Sequence, residues 1–124
     1  MNKEAIIIKK WMSALRSGNY KKCDGIMHLG DMFCAYGVLC DLHATEFGKE
    51  WHKPDMTDVN YYHGASYIPP QQVRHWLGDE LWKILQGYAP TVDLISDKSM
   101  TLSEAADEIE KKIKIHCPNF FEEE

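Results

Sequence analysis

Several signatures of chemistry are missing from this chain. It has no glycine-rich phosphate loop, no nucleophile elbow, no H-E-x-x-H and no C-x-x-C pair. The absences remove the most legible routes to phosphoryl transfer, serine hydrolysis, zinc proteolysis, thiol redox chemistry and a zinc knuckle. Long apolar runs are missing too: Ile6, Ile7 and Ile8 are followed at once by Lys9 and Lys10, far short of the ~20 residues that span a bilayer. Neither a signal peptide nor a membrane anchor is expected at the start. Positive charge is scarce: 14 Lys and Arg face 19 Asp and Glu, a net charge of −5, which argues against nucleic-acid binding through phosphate contacts. Lys9, Lys10, Arg16, Lys21 and Lys22 could form a local basic patch, but a solvated helix face and turn explains them more simply.

What is there reads as one domain of 124 residues, with 44% hydrophobic and 27% charged residues, ordinary for a soluble globular protein. The organising stretch is 31–45, DMFCAYGVLCDLHAT. Phe33, Gly37, Cys40 and Ala44 recur at helical spacing, and Asp41 is the only charge between Met32 and Leu42, so a largely covered central helix is expected, capped by Asp31. Gly37 in mid-helix costs roughly 1 kcal/mol relative to Ala, which implies that another element presses against the helix there.

Around it, residues 3–16 read as a helix with Ile7, Trp11 and Leu15 inward, flanked by Ile8 and Met12. Residues 20–23 and 26–29 suggest two small strands about an Asp24-Gly25 turn, and 59–62 and 65–68 two more about His63-Gly64. Pro70 starts a short helix closed by Gly78, with Val73, Trp76 and Leu77 inward; a second runs over 79–86 with Leu81, Trp82 and Leu85 inward. Residues 91–95 read as a strand or an extended connection. Thr101 and Glu104 form a capping box for a last helix whose stripe is Leu102, Ala105, Ala106, Ile109 and Ile113. Residues 1–115 form the expected domain and 116–124 an acidic tail, with Phe120 and Phe121 able to dock. The fold class is therefore α+β, mainly helical, with one or two small antiparallel hairpins on the central helix.

The four cysteines, Cys23, Cys34, Cys40 and Cys117, are expected to be reduced in a cytoplasmic chain. Cys34 in the first turn of a helix suits a thiolate nucleophile, with His52 or His63 as base, so a small cysteine-dependent hydrolase or transferase is one alternative. A structural zinc held by Cys40 and His43, with Cys34 and Cys23 less well placed, is another. Buried thiols behaving as small apolar groups are the simpler account. The aromatics Trp51, Tyr61, Tyr62, Tyr67 and Trp76 crowd the middle third beside His52 and His63, where stacking surfaces could hold a base or a partner side chain.

Four blocks, LRSGNYKK, FCAYGVLCDL, YIPPQQVRHWLG and ISDKSMTLSEAADEIE, occur in this order. Together they resemble a family of small bacteriophage and prophage proteins reading L-R-S-G-K-Y-K-Q, F-C-C-L-G-V-L-C-D-L, L-P-x-x-V-x-x-W-L-G and a final E-I-A-D-x-I-E. The likeness spans most of residues 11–112. It departs at Ala35, where the family has a second cysteine, at Lys22 in place of Gln, and at Ser96-Asp97 in place of Asn-Asp. The resemblance implies a phage origin and the cytoplasm of an infected bacterium, and it transfers no catalytic residue.

These readings favour a phage accessory protein that binds a host protein or a small signalling ligand such as a nucleotide, in counter-defence, over an enzyme. The expected binding residues are Arg16, Tyr20, Lys21, Trp51, His52, Tyr61 and His63. No cofactor, metal or membrane partner is expected, and self-association stays open.

Overall fold

In the computed structural model, which describes residues 3–87 and 100–121, the helical repeats of the sequence become five helices among the described residues, with a small three-stranded sheet. The chain runs α1 (Lys3–Arg16), β1 (Lys21–Lys22), β2 (His28–Leu29), β3 (Met32–Phe33), α2 (Ala35–Phe47), α3 (Gln71–Leu77), α4 (Asp79–Gly87) and α5 (Leu102–His116). It is a mainly helical α+β fold. The 91–95 expectation lies outside the described residues.

Each apolar stripe finds a neighbour. Ile7, Ile8, Trp11, Met12 and Leu15 of α1 are buried, as are Leu102, Ala105, Ala106, Ile109 and Ile113 of α5, and the two helices pack together. The capping box at Thr101 and Glu104 forms with both bonds at 3.0 Å. Helix α2 is buried along its first half, where Trp11 donates its indole N–H to the carbonyl of Ala35 at 2.9 Å and stacks near Tyr36. Burying side chains of this size contributes about 1.5–3 kcal/mol each. Phe120 and Phe121 pack against this core, Phe121 beneath the Lys114 ammonium.

The close approach expected at Gly37 is present. The carbonyl of Met27 accepts from the Cys34 N–H at 3.1 Å, and that bond holds it where a Cβ on residue 37 would collide with it.

Three local expectations are corrected. Helix α2 begins at Ala35 with Cys34 as its N-cap residue, and Asp31 pairs with Lys21 at 3.2 Å instead of capping. Residues 32 and 33 are spent on β3 because they pair on both sides, parallel with β1 and antiparallel with β2. The hairpin turn is therefore Gly30-Asp31 and not Asp24-Gly25; Gly30, at φ +60°, fills the first loop position that a type II′ turn reserves for glycine. The His63-Gly64 turn does form, with φ of +49° and +83°, but its arms share one rung, Tyr62 with Ala65. Tyr61 pairs instead with His52, and Val59 with Leu29, so residues 48–70 wrap as a loop over β2 and α2.

Candidate functional site

The carboxylate of Asp41, in the middle of α2, organises the surroundings of that loop. Asp41 accepts the Tyr20 hydroxyl on one oxygen at 2.7 Å and the Trp51 indole N–H on the other at 3.2 Å. Two residues 31 positions apart in sequence, 20 and 51, are thereby held on one side chain. Charge-assisted bonds of this kind are shorter and stronger than neutral ones. The Tyr20 phenol is pushed above its ordinary range, first by desolvation and then by its bond to Asp41, so it remains a donor.

From this bracket a row of rings runs across the molecule. Tyr20 meets Phe33 edge-on at 5.0 Å, Phe33 stacks on His28 at 3.8 Å, and Trp51 contacts His28, Phe33 and Tyr62. Tyr62 bonds His43 Nδ1 through its hydroxyl at 2.6 Å, and His43 in turn meets Phe47 and Trp76. Burial pushes Tyr62 up to about 12 and lowers His43, so the hydroxyl donates and the imidazole accepts in its neutral form. Tyr20, Phe33 and Trp51 are half-buried, Tyr62 and His43 buried, which leaves a partly exposed aromatic face at the Tyr20–Trp51 end.

The other expected residues are distributed around this face. His52 and Tyr61 form one rung through mutual backbone bonds of 2.8 and 2.7 Å, the histidine exposed and the tyrosine half-buried. His63 occupies the exposed turn against Tyr62. Arg16 is drawn to α5 by Asp107 at 2.7 Å and Glu110 at 2.5 Å; the two bonds raise its pKa further. Lys21 is exposed beside Asp31, whose carboxyl it holds below the usual range. Arg16, Tyr20 and Lys22 with Leu15 also border a cleft of about 380 Å³ that Met100 and Thr101 line as well.

The cysteines lie elsewhere. Cys34 is fully buried, and desolvation pushes its thiol up to about 12, the opposite of an activated thiolate. Cys40 is raised for the same reason and rests against the Met27 sulfur at 3.7 Å, while His43 is taken by Tyr62. Among the described residues no three His, Cys, Asp or Glu side chains converge as a metal site. The geometry thus lends nothing to the Cys34 or the Cys40–His43 alternatives.

Asp41, His28 and Phe33 join this site without having been expected there, whereas Tyr62 belongs to the aromatic group that the sequence singles out. Of the unexpected residues only Asp41 carries a sequence signal, as the single charge between Met32 and Leu42.

Residues 1–119 match the family described as Domain of unknown function (DUF8296), and the chain belongs to it. No curated protein and no solved structure matches the chain.

Proposed function

We propose that this member of a family of unknown function acts by binding a partner protein, through the face on which Asp41 fixes Tyr20 and Trp51. That bracket is the observation that carries the proposal. Partly exposed aromatics held in one orientation lose little entropy on docking, and Tyr and Trp are the side chains that most often anchor interfaces. His52, Tyr61 and His63 extend the face along the loop. The resemblance to phage proteins makes a host protein the partner, in the cytoplasm of an infected bacterium.

A second reading has its own observation. The cleft beside Arg16, Tyr20 and Lys22, about 380 Å³, falls within the size range of small-molecule sites, so a small ligand such as a nucleotide is the alternative occupant.

Affinity capture from infected cells tests the first reading. The bait is the full chain, alongside His52→Ala/Tyr61→Ala on the face and Lys111→Ala on α5. A partner kept by wild type and Lys111→Ala and lost by the double variant is the expected result. A folded double variant that retains the same partner removes the proposal. For the second reading, a nucleotide screen should return a ligand whose affinity falls in Arg16→Ala.

A further inference from the structure

Helices α3 and α4 are joined at Gly78 and together bound a cleft of about 460 Å³. Gln71, Arg74 and His75 line it from α3, and Asp79, Trp82, Lys83 and Gln86 from α4, at the i, i+3, i+4 spacing that puts residues on one helix face. Every one of these side chains carries a polar group.

The charges in this cleft are not all matched. His75 lies 3.5 Å from Asp79 and Lys83 lies 3.6 Å from Glu80. Arg74, half-buried, has no carboxylate partner among the described residues; its guanidinium carbon sits 5.9 Å from the centroid of the Trp82 ring. Arg74 Nε and Trp82 Nε1 are both buried without an acceptor, and Trp82 is only 6% exposed. A desolvated donor left unpaired destabilises a fold, so two beside each other call for a shared acceptor. The edge of a guanidinium presents its Nε–H and one Nη–H as a fork that fits two oxygens of one anion.

We infer that the α3–α4 cleft binds a compact oxyanion, a carboxylate or phosphate group, on the guanidinium edge of Arg74 with the Trp82 indole N–H beside it. The Arg74 guanidinium lies over the Trp82 ring, and a turn about its flexible side-chain bonds is the motion by which the anion would reach both N–H groups. The site stands apart from the Asp41 face and does not depend on the binding role proposed for it.

Nuclear magnetic resonance of the full chain tests this directly, because its four tryptophans give four indole N–H signals. Trp82→Phe assigns the Trp82 signal. Inorganic phosphate, acetate and adenosine monophosphate are titrated at matched ionic strength, with chloride as control. The Trp82 signal should move saturably with phosphate or acetate and not with chloride. Arg74→Lys, which keeps the charge and loses the fork, should weaken binding about tenfold, the worth of one charge-assisted bond. Tighter binding of the nucleotide than of phosphate would assign the oxyanion to a larger ligand; equal binding would assign it to the free anion. The inference is overturned if no probe saturates, if chloride acts equally, or if Arg74→Lys binds as wild type while the other indole signals stay unchanged.

Discussion

Helices α1 and α5 and the loop of residues 48–70 cover the same core and are held by different physics. The helices bury continuous aliphatic stripes against each other. The loop makes single-rung backbone pairs and is fastened by ring contacts and by side-chain bonds to Asp41 and His43. Area burial is non-directional and tolerates sliding, whereas ring edges and hydrogen bonds fix orientation. The loop is therefore the region able to hold side chains in a set arrangement at the surface, and the helices supply the stability behind it.

Substitutions that strain this contrast rank by size. Trp11→Ala removes a fully buried ring and its bond to Ala35, and should cost about 3–5 kcal/mol by denaturant unfolding. Gly37→Ala should also destabilise, by about 2 kcal/mol. Its helix-propensity gain of about 1 kcal/mol is outweighed by the collision with a carbonyl that cannot move freely. A stabilised Gly37→Ala would mean that Met27 does not press there.

Asp41→Asn sharpens the comparison. One of its two donors loses a good acceptor, at a cost of about 1–2 kcal/mol. Hydrogen exchange should quicken in residues 51–62 and stay slow in α1 and α5; a uniform change would contradict the division. Acidification probes the other fastening. Folded His43 binds a proton less readily than its unfolded counterpart, whose ordinary pKa is 6.5. The unfolded chain gains the proton first as pH falls below that value, so stability drops from there downward. His43→Phe should flatten that part of the melting-temperature profile. Arg16→Ala is the mildest change, below about 1 kcal/mol for so exposed a pair, read as a small shift in melting temperature.

The same contrast decides what the sequence could reveal. Period-3.6 stripes named the inward residues of α1, α4 and α5, and Thr101 with Glu104 marked a helix start, because local spacing determines both. Gly37 betrayed a close neighbour without identifying Met27. The β register was less legible: strands of two residues carry no alternation to read, so Asp24-Gly25 and Gly30-Asp31 compete as turns on nearly equal terms. Tyr20 and Trp51 could be named as candidates from their residue types. Their meeting on Asp41 is a tertiary event that no spacing encodes.

The most direct measurement is the affinity of a captured partner for wild type and for Asp41→Asn, by calorimetry. The account predicts at least a tenfold loss, about 1.4 kcal/mol, in a protein that still melts cooperatively. Equal affinity, with Tyr20 and Trp51 freed from their shared carboxylate, would contradict it.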